Sequence, residues 1–354
     1  MSSNKICINT EILRKLKESD GVYVSGESLS EALGVSRTAV WKHIKELRDK
    51  GYSIDSSSKK GYKITNWKNM LNEYEIQSSL ETRILGSKVK YFNTIESTNS
   101  YAKEMASNGC VEGTVVIADS QTSGRGRLGR EWHSPGGKGI WMSVVLRPII
   151  DPEDVQIITL AASVAVAKVL ERVCGIKVGI KWPNDIVVEG KILCGILTDM
   201  SSEVGSVDFI VLGIGINVNH DQKDFPVELK DLATSVKLHL CRQDMDESMK
   251  SNCEIIDRAP IIREFLMEFE RIYLNLNDEK EYNSAAMDII TQWKKYSATL
   301  GKKVKVMMRN IEYLGEAVDI TSDGRLVVKC DDGEIKEILS GEVSVRGMLG
   351  YAPS

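Results

Sequence analysis

The sequence predicts an α+β protein in three parts: a small helical unit with a β-hairpin, a central α/β body with a mixed sheet, and a small terminal β-barrel. Three observations predict it. The chain has 354 residues, too many for one core and enough for two or three. Apolar residues recur at helical spacing from Glu11 to Lys50, and strands alternate with helices from Val89 onward. From Gly301, short apolar runs are cut by turn residues. The boundaries expected from these shifts are 1–66, 67–300 and 301–354.

Composition narrows the class. With 42% hydrophobic and 27% charged residues the chain is ordinary globular protein, neither disordered nor fibrous. It carries no internal repeat. No apolar run approaches the roughly 18 residues of a membrane span, and the N-terminal stretch MSSNKICINTEILRKLKESD has no apolar core behind its basic residues. A cytoplasmic protein with no membrane partner is expected. Seven cysteines, Cys7, Cys110, Cys174, Cys194, Cys241, Cys253 and Cys330, include no C-x-x-C pair, which suits reduced thiols and argues against a structural metal. The net charge of −4 is uneven, because residues 1–66 carry 12 Lys and Arg against 8 Asp and Glu. A basic front on an acidic body places any nucleic acid at the front.

That front reads as a winged helix-turn-helix. Glu11–Ser19 is a short amphipathic helix and Ser28–Leu33 a second, with Leu29, Ala32 and Leu33 on its apolar side. Gly34 ends it. Ser36 then caps a third helix, Arg37–Lys50, in which Val40, Ile44 and Leu47 must face inward. Ser36, Arg37, Thr38, Trp41, Lys42 and Lys45 are left facing out, donors and cations suited to base edges and phosphates when such a helix lies in the major groove. Beyond Gly51, the strands Tyr52–Asp55 and Gly61–Thr65 flank the basic turn Ser56–Lys60, the pattern of a wing. A solvated helix could carry the same charges; turn, cap, helix and wing in that order favour DNA binding.

The central body carries the chemistry. The strand Val89–Thr94 leads to Ser97-Thr98-Asn99 at the start of the helix Ser100–Ser107, where hydroxyls, an amide and free backbone N–H groups could meet a polar ligand or simply cap the helix. The strand Gly113–Asp119 runs into Gln121 and the loop Gly124-Arg125-Gly126-Arg127-Leu128-Gly129-Arg130-Glu131-Trp132. Arginines between glycines let backbone close on a ligand while guanidiniums grip phosphate or carboxylate. A flexible basic loop or an RNA-binding glycine–arginine tract would look similar, but a single loop ahead of the strand Ile140–Leu146 favours a ligand clamp. The helix Asp154–Cys174 reads as packing. It leads to Lys181-Trp182-Pro183-Asn184-Asp185, where proline ends a strand in a turn that presents Lys181, Asn184 and Asp185. A hairpin through Glu189-Gly190 follows, and Phe209–Gly213 leads into Ile214-Gly215-Ile216-Asn217.

In this order, Ser97-Thr98-Asn99, the GRGRxGR of Gly124–Arg130, the KWPND of Lys181–Asp185 and the GxGIN of Gly213–Asn217 make the chain similar to biotin protein ligases. The winged front resembles the bifunctional subset that also represses biotin-synthesis genes. Lipoate ligases share the catalytic fold but lack this pair of motifs and the winged front. The resemblance covers nearly the whole chain. It implies a central sheet of class II aminoacyl-tRNA synthetase type and an SH3-like terminal barrel. It also implies a two-step reaction: biotin and Mg2+–ATP give biotinyl-5′-AMP, which a lysine of a biotin carboxyl carrier protein then attacks. Ser97, Thr98, Asn99 and Gln121 would bind biotin, with Arg125, Gly126 and Arg127 at its carboxylate and the phosphate. Arg130, Trp132, Asn184, Asp185 and Asn217 would serve the nucleotide, and Arg346 would reach back to it from the terminal domain. No metal would be held by the protein alone. A repressor of this kind would bind operator DNA as a homodimer when loaded with the adenylate, its corepressor.

Two departures stand out. The family has a lysine seven residues beyond the Asp of KWPND and three before a Gly; in this chain that position is Ile192. Either a bulge near Gly190 re-aims the neighbouring Lys191 into the pocket, or the arginines act alone, or ligation is impaired and the protein is chiefly a biotin-responsive repressor. The expectation is that Lys191 enters beside Arg125. The polar stretch Cys241–Arg258 is read as a surface insertion.

Overall fold

The computed structural model describes residues 2–67, 69–203, 205–241, 254–278, 280–308, 311–339 and 343–347. The chain divides into two compact units, Met1–Glu81 and Thr82–Ser354. The winged helix-turn-helix forms the first. Its helices are α1 (Ser2–Glu18), α2 (Gly26–Leu33) and α3 (Arg37–Asp49), followed by the antiparallel hairpin β1 (Ser53–Ser57) and β2 (Gly61–Asn66). Local capping fixes each start. The Ser25 hydroxyl accepts from the Ser28 N–H at 3.0 Å and the Ser36 hydroxyl from the Ala39 N–H at 3.2 Å. Gly34 closes α2 in the left-handed conformation, φ 62°. Ile12, Leu13, Leu16, Leu29, Val40, Ile44 and Leu47 are fully buried and make one core.

The stretch after Asn66 belongs to this unit. Trp67, Met70 and Tyr74 pack on its core, and the short helix α4 (Glu73–Gln77) is capped by Asn72, whose side chain accepts from Tyr74 and Glu75 N–H at 3.0 Å. The Tyr52 hydroxyl donates to Glu75 at 2.8 Å. The first compact unit therefore runs to Glu81, beyond the expected boundary at 66.

The second unit is built on a seven-stranded sheet of order β3-β4-β5-β9-β8-β7-β6. Its strands are β3 (Lys88–Ile95), β4 (Thr114–Gln121), β5 (Gly139–Leu146), β6 (Gly179–Lys181), β7 (Asp185–Val188), β8 (Lys191–Glu203) and β9 (Ser206–Asn217). Only β3 and β4 pair in parallel, so the sheet is mixed as expected. Helix α5 (Thr98–Ser107) packs on β4, β5 and β9. Helix α6 (Val155–Cys174), buried nearly all round, packs on β6, β7 and β8 and carries α8 (Arg258–Leu276) and α9 (Tyr282–Tyr296). A one-turn helix, α7 (Val236–Leu240), lies between. The chain ends in the antiparallel sheet β13-β12-β11-β10-β14, made of β10 (Lys303–Met308), β11 (Ile311–Ile320), β12 (Leu326–Cys330), β13 (Ile335–Ile338) and β14 (Val343–Gly347). It belongs to the second unit, where the Trp182 indole N–H donates to the Gly324 carbonyl at 3.1 Å.

Cys110, Cys174, Cys194 and Cys330 are free thiols. Cys241 is disulfide-bonded, which corrects the expectation of reduced thiols for that residue. Most of the stretch read as an insertion, 242–253, lies outside the described residues. No helix among the described residues is long and apolar enough to cross a membrane.

Candidate active site and candidate nucleic-acid interface

One cavity of about 350 Å³ gathers most of the residues singled out from the sequence. Its floor is glycine. Gly195 on β8 and Gly213 and Gly215 on β9 leave the sheet surface bare, and the Trp132 indole rests on it: a methyl group added at Gly215 would lie 2.5 Å from Trp132 Nε1, and one at Gly195 2.7 Å from Cζ3. A methyl group at Gly213 would collide with the Asn99 side-chain oxygen.

The polar end of the cavity is the start of α5. Ser97 caps that helix, its hydroxyl accepting from Ser100 N–H at 3.4 Å. The Gln121 side-chain oxygen accepts from both Thr98 N–H at 2.8 Å and the Thr98 hydroxyl at 3.0 Å, and its amide donates to Ser134 at 2.9 Å. Gln121 is thus engaged at both ends and holds Thr98 in place. Asn99 donates to the Asp199 carboxylate at 3.0 Å, and Ser143 Oγ lies 2.6 Å from Asn99 Oδ1 and 2.8 Å from Thr98 Oγ1. The buried Ser143 and the partner Asp199 carry no local motif and were not foreseen.

The arginine loop forms the opposite wall. It folds as a small hairpin in which Gly126 N–H donates to Arg130 O at 2.7 Å and Trp132 N–H to Gly124 O at 2.9 Å. Leu128 and Gly129 turn it with φ of 56° and 73°. Arg125 and Arg130 are exposed, whereas Arg127 is half-buried and donates to Asn184 Oδ1 at 3.1 Å. Burial lowers the Arg127 pKa, offset by the nearby Asp185 carboxylate, but a guanidinium remains charged. Asn184 in turn donates to the Ile196 carbonyl at 2.9 Å, tying the KWPND turn to β8. Burial raises the Asp185 carboxyl above its ordinary value against the pull of Lys181, Arg127 and Arg130. Asn217, buried at the end of β9, completes this side. Lys181 lines the cavity too, though the residue set expected from the sequence omitted it.

Lys191 is the correction. Glu189 and Gly190 form a regular two-residue hairpin turn with φ of 48° and 80°, and the register break falls later, at Leu193, between the pairs Ile186–Cys194 and Val187–Ile192. Ile192 also pairs with the 232–234 segment, donating to Leu232 O at 2.8 Å and accepting from Thr234 N–H at 2.9 Å. Two neighbours therefore fix its register, and Ile192 faces the cavity with Leu232 and Ala233. The Lys191 amine lies 3.4 Å from the Lys230 carbonyl and is not part of the lining. Arg346 is paired with Lys305 through the backbone of β14; its side chain lies outside the described residues.

In the first unit, Ser36, Arg37, Thr38, Trp41, Lys42 and Lys45 are all exposed while Val40, Ile44 and Leu47 are buried. Arg37 pairs with Glu27, and the Lys45 amine stands 6.0 Å from the Trp41 ring centroid. At the hairpin, Lys60 and Lys63 lie 5.9 and 5.3 Å from the Tyr23 ring. This face is basic, aromatic and solvent-accessible.

Comparison with known proteins agrees with both halves. Residues 9–63 match an HTH domain, 91–217 the biotin/lipoate A/B protein ligase family, and 299–346 the biotin protein ligase C terminal domain. The bifunctional ligase/repressor BirA of Bacillus spizizenii is 39% identical over 96% of this chain and 98% of its own length. The bifunctional ligase/repressor BirA of Escherichia coli is 30% identical over 92% and 94%. The second unit resembles the biotin protein ligase from Aquifex aeolicus solved in complex with biotin and ATP, with a TM-score of 0.57, 28% identity and coverage of 73% of this chain and 99% of that one.

Proposed function

The chain belongs to the bifunctional biotin protein ligase and repressor family, and we propose that its cavity makes biotinyl-5′-AMP, which serves both as acyl donor and as corepressor. It is an ATP-dependent biotin protein ligase with a DNA-binding repressor domain. In the first step a biotin carboxylate oxygen attacks the α-phosphorus of ATP and pyrophosphate leaves. In the second, a lysine amine of a biotin carboxyl carrier protein attacks the acyl carbon, AMP leaves, and the amine proton passes to solvent.

The observation that carries this reading is the order of groups in one cavity: hydrogen-bonding side chains at the α5 start, a glycine floor, then arginines. Ser97, Thr98 and Asn99 would bind the polar ring of biotin. Arg125 and Arg127 would draw carboxylate and α-phosphate together and stabilise the charge that grows at phosphorus. Trp132 would separate and cover the two ligands, with Asn184, Asp185 and Asn217 on the nucleotide side. Among the described residues no cluster of three His, Cys, Asp or Glu could hold a metal, and the oxygen donors of Asp185 and Asn217 would suit a hard cation borne by the nucleotide. Magnesium held there would supply charge neutralisation on the ATP phosphates. The reading places the protein in the cytoplasm, with operator DNA at the exposed face of α3 and dimerisation linked to adenylate binding.

Incubating the purified chain with biotin, Mg2+–ATP and a carrier domain tests the ligase half. A biotinyl amide on one carrier lysine is expected; no transfer would refute it. Ile192 in the lining favours a second reading, a repressor whose ligation is impaired, which would show as biotin-responsive DNA binding without transfer.

A further inference from the structure

Four Lys and Arg side chains among the described residues line the cavity: Arg125, Arg127, Arg130 and Lys181. Three of them ride on one loop. Arg125 and Arg130 are exposed, and backbone hydrogen bonds within the loop and the Arg127–Asn184 contact are among its braces. Lys181 differs in kind. It ends β6, pairs with Asp185 across the turn, and is 9% exposed. The following residue is fixed as well: Trp182 N–H donates to Thr299 at 2.9 Å and its indole to Gly324. A cation held on a strand by its neighbours on both sides needs little reorganisation when charge develops beside it.

The cavity needs such a group. The adenylation step brings a carboxylate and a triphosphate together, and Asp185 adds a further carboxylate to the same wall. At the corresponding place on β8 the chain offers the apolar Ile192, and the Lys191 amine is turned to the Lys230 carbonyl. Lys181 and Asp185 pair across the turn and line the same cavity, so the lysine stands on the wall where these anions meet.

We propose that Lys181 is a catalytic residue of the adenylation step, the strand-borne cation that faces the reacting carboxylate and α-phosphate in place of a lysine on β8. This rests on the ligase reading. Its ammonium neutralises the attacking carboxylate and the phosphorus-bound oxygens together, forms no covalent bond, and gives up no proton.

The test is biotin-dependent ATP–pyrophosphate exchange by the full-length protein, with wild type, Lys181→Met, Lys181→Gln, Lys181→Met with Ile192→Lys, and Lys191→Ala. Removing one preorganised charge from such a step costs about a hundredfold in kcat. Lys181→Met and Lys181→Gln are expected to fall by about that factor with thermal midpoints near wild type, and Lys191→Ala to match wild type. Adding Ile192→Lys to Lys181→Met is expected to restore at least tenfold, because it returns a cation to the cavity from β8. A merely structural lysine would not be rescued from the opposite strand. Folded Lys181 variants as fast as wild type, or slow variants without rescue, overturn the proposal. Absence of exchange in the wild type overturns the ligase reading itself and this role with it.

Discussion

The Arg127 guanidinium donates to the Asn184 side-chain oxygen at 3.1 Å, joining the arginine loop to the turn of the KWPND motif. Motifs far apart in sequence are thereby locked in one wall, and Asn184 is anchored in turn on the Ile196 carbonyl. The contact also sets Arg127 apart from its exposed neighbours Arg125 and Arg130.

Arg127→Ala is expected to loosen retention of biotinyl-5′-AMP. A lost charge-assisted hydrogen bond costs roughly 1.5–3 kcal/mol, or about ten- to a hundredfold in dissociation rate. Leaked adenylate should then label lysines on unrelated proteins. A chase with unlabelled biotin measures the rate, and a wild-type value removes Arg127 from this role.

Gly213→Ala tests the glycine floor. Its methyl group would strike the Asn99 side chain, which is held by Asp199 and Ser143 and has little room to move. Biotin affinity should drop at least tenfold, about 1.4 kcal/mol, while the operator affinity of unliganded protein is unaffected. Calorimetric titration of biotin reads the first quantity.

For the repressor half, Arg37→Ala combined with Lys42→Ala should abolish operator binding and leave carrier biotinylation intact. If both side chains reach phosphates, the slope of log affinity against log salt should shrink by about 2 in magnitude on any residual binding. Simultaneous loss of ligation would contradict the division of labour between the two units.

His220 makes stability depend on pH. It is fully buried, stacked on Phe225 at 4.8 Å, and neither ring nitrogen has a hydrogen-bond partner. Burial pulls its pKa down to about 4, against Asp224 which raises it. The unfolded chain, with an ordinary histidine near 6.5, therefore binds a proton that the folded state refuses, and stability falls as pH drops from about 6.5 to about 4, by roughly 3 kcal/mol at most. Urea unfolding from pH 7 to 4.5 should show a shallower loss for His220→Leu than for wild type; equal losses would contradict this.

What was legible in the sequence was what local chemistry decides. Ser36 announces α3 because a cap needs only its own hydroxyl and the next turn, and the glycines around Arg125 and Arg127 announce a clamp because close turns need them. The side-chain set of α3 followed from periodicity alone. Partners contributed by distant chain were not legible. Ser143 and Asp199 support Asn99 from β5 and β8. Trp67, Met70 and Tyr74 pack on the core of the first unit, although the boundary expected at 66 gave them to the central body. Lys191 was misplaced because its register is set at Leu193 and by the 232–234 segment, neither visible in the hairpin itself.

The central claim is that one adenylate serves both activities, and operator binding measured with and without its precursors tests it most directly. Titrating operator DNA with the full-length protein at fixed salt, alone and with biotin plus Mg2+–ATP, should show affinity rising when both are present and not with ATP alone. By linkage, operator DNA must raise the affinity for the adenylate by the same factor. An operator affinity indifferent to biotin and ATP, in protein that biotinylates its carrier, would contradict the account.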